Sequence, residues 1–148
     1  MTPSELAAVT QLLGRKPSGD FDVVVRDADG HPVVIKNAPF LHDGTPMPTR
    51  FWLLGGDVHR RVGQLESAGG VRAAEAAVDP VALMAAHDQY EAERSAAIPS
   101  GYEGPRPSGG IGGTRRGVKC LHAHYAYFLA GGDDPVGAWV HEQLATTT

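Results

Sequence analysis

Cysteine is almost absent. Cys120 is the only one in 148 residues, so no intrachain disulfide can form and a zinc site of thiolates alone is excluded. Long apolar runs are also missing: none approaches the roughly 20 residues that cross a bilayer. The N-terminal stretch lacks the basic and apolar regions of a secretory signal. Together these absences predict a cytoplasmic chain in a reducing environment, with no membrane partner. Positive charge is in deficit, since 13 Lys and Arg against 17 Asp and Glu leave a net charge of −4. That balance argues against a general nucleic-acid binder.

What remains is an ordinary globular composition, 42% hydrophobic and 20% charged, long enough for a single domain, 1–148, with its own core. Thr2-Pro3-Ser4-Glu5 has the pattern of a capping box and opens a helix that Gly14 closes. Phe21–Arg26 and Val33–Lys36 flank the turn signal Asp27-Ala28-Asp29-Gly30, which predicts a hairpin with Pro32 at a strand start. Phe51–Leu54 reads as a third strand. Asp57 is placed to cap a helix carrying Val58, Val62 and Leu65, with Gly69-Gly70 as its stop. Val71–Val78 adds a further helical turn or two. Asp79-Pro80 starts a helix whose stripe runs through Leu83, Met84, His87, Tyr90, Ala97 and Ile98. A helix from about Val118 to Ala130 and another after Asp134-Pro135 complete the chain. The expected class is α+β: a small three-stranded antiparallel sheet with about five packed helices.

The chemistry concentrates between residues 99 and 137. A Gly/Pro-rich loop at 99–117 precedes the Cys120 helix, and long loops in compact domains are functional or mobile. Gly109, Gly110, Gly112 and Gly113 let a backbone approach a ligand closely, Thr114 offers a hydroxyl, and Arg115, Arg116 and Lys119 bring positive charge to an expected helix N-terminus. Free N–H groups and the helix dipole there favour a phosphate or carboxylate. The loop is not a Walker A motif. On a helix, which the terminating glycines and Ala-rich sequence favour, Cys120 and His124 share a face and can hold one metal ion while His122 points away from both; on an extended segment all three would share a face. Asp27, Asp29, Asp57 and His59 are further ligands in reserve. Cys120 near a helix N-terminus is also a candidate nucleophile, with His122 or His124 as acid or base. The bland alternative for each is a solvated loop, a packed thiol and hydrogen-bonded histidines. His31, His87 and His141 stand without a constellation, and Trp52 and Trp139 read as core.

Asp43-Gly44-Thr45-Pro46, Pro48-Thr49, Leu65-Glu66 with Gly69, and Val118-Lys119-Cys120-Leu121-His122-Ala123 resemble the actinobacterial domain-of-unknown-function family 501 across nearly the whole chain. The resemblance implies no established activity. It makes Asp43, Thr45 and Thr49 secondary ligand-binding candidates. It also implies a variant branch: many members of the family carry Cys-Pro-Cys-Gly at the hairpin turn and a cysteine after the third strand, where this chain has Asp27-Ala28-Asp29-Gly30 and Gly55. A thiolate-rich metal site is therefore not available here.

The expectation is a protein that binds a small anionic, phosphate-bearing ligand at the loop and the following helix; whether it turns that ligand over is left open, a hydrolase or transferase being one hypothesis. The alternatives are a non-catalytic module for a protein partner or a second copy, and a metal-binding protein using Cys120 and His124. No cofactor is required by the motifs, though they admit a divalent metal.

Overall fold

The hairpin is the scaffold. The structure, a computed structural model, describes residues 2–146. Its strands β1 (Gly19–Arg26), β2 (Pro32–Leu41) and β3 (Phe51–Leu53) form one antiparallel sheet in that order. Ile35 pairs with both Val23 and Trp52, and Val34 pairs with both Val25 and Leu53. A register shift between Val23 and Val25 sets two β1 residues against one step of β2. Such a bulge re-aims the side chains beyond it. Phe21, Val23, Ile35 and Trp52 accordingly face one cluster, while Val25, Val34, Phe51 and Leu53 face another.

The smaller cluster is covered by α1 (Pro3–Leu13), whose Val9 is fully buried. Thr2 caps it through Glu5 N–H and Gly14 closes it in the left-handed region. The capping box is only half formed, because Glu5 turns its carboxylate to Arg26 on β1 at 3.0 Å. The larger cluster is covered by α2 (Asp57–Ser67), α3 (Gly70–Ala77), α4 (Pro80–Ala96), α5 (Leu121–Leu129) and α6 (Pro135–Thr146). The class is α+β as expected, with six α-helices among the described residues rather than about five. Gly69, in the left-handed region, both ends α2 and caps α3, so the short segment after it forms a helix of its own. Asp57 does not cap α2. Gly56 holds that position and Asp57 pairs with Arg60 inside the first turn.

The centre of the larger cluster is α5, packed against β3, α6 and α2 and buried around most of its circumference. Tyr127 meets Tyr90 edge-on at 5.1 Å, and both rings adjoin Phe51. The Tyr90 hydroxyl accepts from the N–H groups of Arg50 and Phe51, closing the entry to β3. Burial pushes Tyr90 up to about 12, so it serves as a neutral hydrogen-bonding group.

Candidate functional site

Most of the predicted site residues lie between Pro107 and Leu121, a segment with no regular structure beyond a 3₁₀ turn at Ile111–Gly113. Four side chains from the preceding helices hold it. Arg94 of α4 donates to the carbonyls of Pro48 (2.8 Å) and Pro107 (3.4 Å). His87, two turns earlier on the same face, accepts Ile111 N–H on Nδ1 at 3.0 Å and donates from Nε2 to the Gly117 carbonyl at 2.9 Å. Glu75 of α3 accepts Val118 N–H at 2.8 Å, and Glu66 of α2 accepts Leu121 N–H at 2.8 Å. Two glycines are required by these clamps. A Cβ on Gly110 would lie 2.5 Å from His87 Nδ1, and one on Gly117 would collide with the Glu75 carboxylate.

The segment is therefore pinned from within. The N–H groups of Gly110, Ile111, Gly113, Val118 and Leu121 already have acceptors inside the protein. Thr114 spends its hydroxyl on the Arg116 carbonyl at 2.9 Å. The helix begins at Leu121, not Val118, because Glu75 and Glu66 capture N–H groups on either side of an extended Cys120 (φ −145°, ψ 119°). Arg115, Arg116 and Lys119 thus precede the helix rather than ride on its first turn. Arg115 reaches Glu91 at 3.4 Å, and the side chains of Arg116 and Lys119 meet no acidic group among the described residues.

The same extended Cys120 changes the geometry of the thiol. Helical spacing does not apply to it, so Cys120 does not share a face with His124. It converges instead with His122 and Glu66. One ligand atom from each of the three lies within 4.8 Å of the others, in a partly buried position. His122 Nδ1 is 2.9 Å from Glu66 Oε1, and Nε2 donates to the His59 carbonyl at 3.1 Å. His59, Gly63 and Glu66 fall at helical spacing on one face of α2. The imidazole of His122 lies over Gly63 and beside the ring of His59, the two rings tilted by 39° with centroids 4.3 Å apart. The contact with Cys120, the Glu66 carboxylate and the His59 carbonyl raise His122 above its ordinary value against the opposing effect of burial. Burial and the charge of His122 hold His59 below its own.

His124 is sealed in the core. Its Nδ1 donates to Asp134 Oδ2 at 2.7 Å, both side chains being wholly inaccessible, while Asp134 Oδ1 caps α6 at Val136 N–H. Its Nε2 has no hydrogen-bond partner.

Asp43 accepts Thr45 N–H in an exposed turn, and the Thr49 carbonyl receives the Asn37 amide. Neither turn joins Cys120 and His122. The tie between the two segments is Arg94, which links Pro48 to Pro107. In the hairpin turn, Asp27 Oδ1 accepts the N–H groups of Asp29 and His31, both at 2.9 Å. Asp27, Asp29 and His31 also converge within 4.8 Å, but all three are exposed. His87 and His141 do have partners, His141 bonding the Tyr125 hydroxyl at 2.9 Å. Glu75, His87 and Arg94 were not legible as site residues from motifs. The signal that exists is positional: His87 and Arg94 fall on the stripe of Leu83 and Tyr90, where a polar side chain must find internal partners.

Residues 23–142 match the family described as "Protein of unknown function (DUF501)". No curated protein and no solved structure matches the chain. Among the described residues, no helix is long and apolar enough to cross a membrane.

Proposed function

The chain belongs to this family of unknown function, and we propose from its own residues that Glu66, Cys120 and His122 bind a divalent transition metal, with zinc the best fit. The observation that carries this is the convergence of a carboxylate, a thiol and an imidazole whose outer contacts are already made. His122 turns its far nitrogen to a backbone carbonyl, and Glu66 receives a backbone N–H on its other oxygen. Metal-ligating imidazoles and carboxylates are oriented in this way. A nucleophilic relay would instead set thiol and carboxylate on opposite nitrogens of the imidazole. Here Nε2 is occupied by the His59 carbonyl, and Nδ1 faces Glu66.

Ligand atoms on one tetrahedral zinc ion at about 2.0–2.3 Å stand about 3.3–3.8 Å apart, so side-chain adjustment alone closes the set. Three protein ligands leave one position for water, the arrangement of catalytic rather than structural zinc. His59 lies beside the cluster, its imidazole held below its ordinary value by burial and by the charge of His122.

The test is zinc affinity by competition with a chromophoric chelator. Wild type is expected to bind one equivalent. Glu66→Gln and His122→Asn should each lose more than the about 10–100-fold typical of an outer contact. Equal affinity in wild type and both variants would sink the proposal.

A second reading, a small anion held by Arg116 and Lys119 with help from Arg115, has one observation in its favour: no described acidic side chain meets Arg116 or Lys119. The N–H groups of Gly110, Ile111 and Gly113 already have acceptors within the protein, which speaks against a backbone cradle built on them, so such an anion would rest on side chains.

A further inference from the structure

On the face of the sheet covered by α1, a cavity of about 110 Å³ opens between the end of that helix and β2. Trp52 lines it with Pro17, Leu41 and Met47, an apolar wall on several sides. The guanidinium of Arg15 stands over the Trp52 ring, 5.6 Å from its centroid. That ring is the only described partner of the Arg15 side chain. Asp20, the one carboxylate in the lining, is hydrogen-bonded to His42 Nε2 at 3.0 Å. Asn37, 5% exposed, is fixed through its amide to the Thr49 carbonyl at 3.0 Å.

We propose that this cavity binds a small carboxylate with a compact apolar body. An apolar hollow with a few convergent polar groups is the usual form of a small-molecule site. The body would lie against Trp52 and Met47, and the carboxylate would meet Arg15, whose planar fork matches two carboxylate oxygens. Size limits the body: an apolar cavity of about 150 Å³ takes a benzene ring, so this one suits a branched chain of roughly four or five carbons. The site lies on the other side of the sheet from Cys120 and does not depend on a metal there.

The experiment follows the indole N–H resonance of Trp52 in wild-type protein during titration with isovalerate. Acetate, isoamyl alcohol and isoamylamine serve as probes lacking either the body or the negative charge. Isovalerate is expected to shift the resonance saturably, and each of the other three to bind at least about tenfold more weakly: the alcohol and the amine lose a charge-assisted hydrogen bond, and acetate loses the buried apolar body. Arg15→Gln, an exposed change that leaves the fold intact, should weaken isovalerate by a similar factor, and Arg15→Lys by less. No saturable shift, equal binding of the alcohol, or unchanged affinity in Arg15→Gln would each overturn the proposal.

Discussion

His122 and His124 are two residues apart on α5, and each has a carboxylate against Nδ1. Their surroundings decide their chemistry. The His122 and Glu66 side chains keep 19% and 26% of their surface, beside the thiol of Cys120. The His124 and Asp134 side chains keep none. In the core the pair joins α5 to the cap of α6, and nothing can reach the free nitrogen. At the helix start the same kind of pair meets a third ligand group and solvent. The residues that differ most in use are thus separated by less than one helical turn, and the cause is the break in helical geometry at Cys120.

The buried pair can be broken most expensively. Asp134→Ala strips the cap of α6 and leaves His124 without a partner, and losing one member of a buried polar pair costs about 3–5 kcal/mol. Chemical denaturation should show that loss. If it is under about 1 kcal/mol, well below that range, the pair is not the strut described here.

The clamp at His87 should give an intermediate and pH-dependent effect. Burial holds its imidazole below the ordinary value, opposed by the Gly117 carbonyl, with His124 also lowering it and Asp134 and Asp88 raising it. The folded state then binds this proton less readily than the unfolded state, so its contribution is lost as pH falls below about 6.5. His122 is shifted the other way and loses its contribution as pH rises, so the difference between wild type and variant is the quantity to follow. His87→Asn should cost about 1–3 kcal/mol at pH 8, and the gap in melting temperature should narrow toward pH 5. A gap that widens on acidification would contradict the assignment of Nδ1 as acceptor.

The exposed cations should matter least to folding. Arg116→Ala with Lys119→Ala should change stability by no more than about 0.5 kcal/mol, because neither side chain meets an acidic partner. Melting in a series of phosphate, polyphosphate and nucleotides at matched ionic strength then decides whether they hold an anion. Stabilisation of wild type but not of the double variant would support the anion reading through mass action; equal melting curves would remove it.

The elements with strong local signals are legible in the sequence. The hairpin follows from its turn and alternation, α1 from Thr2, Pro3 and Gly14, and α4 from Asp79 and Pro80. The start of α5 is not, because Val118 to Cys120 continue an apolar pattern that local propensity reads as helix. Two carboxylates distant in sequence take N–H groups on either side of Cys120 and hold it extended. That single shift separates Cys120 from His124 and delivers it to His122. Glu66 was visible only as part of a family pattern, without a role. The glycines read as a cradle for a ligand, yet Gly110 and Gly117 make room for His87 and Glu75.

The central claim is that the metal ligands are Glu66, Cys120 and His122. Cobalt(II) titration followed by absorption tests it most directly, since a thiolate bound to cobalt gives a charge-transfer band that oxygen and nitrogen ligands alone do not. Wild type should saturate at one equivalent with that band present. Cys120→Ser should lose the band, and His122→Asn should weaken binding. If the band never forms, or if His122→Asn leaves the titration unchanged, the cluster is a hydrogen-bonded helix start and not a metal site.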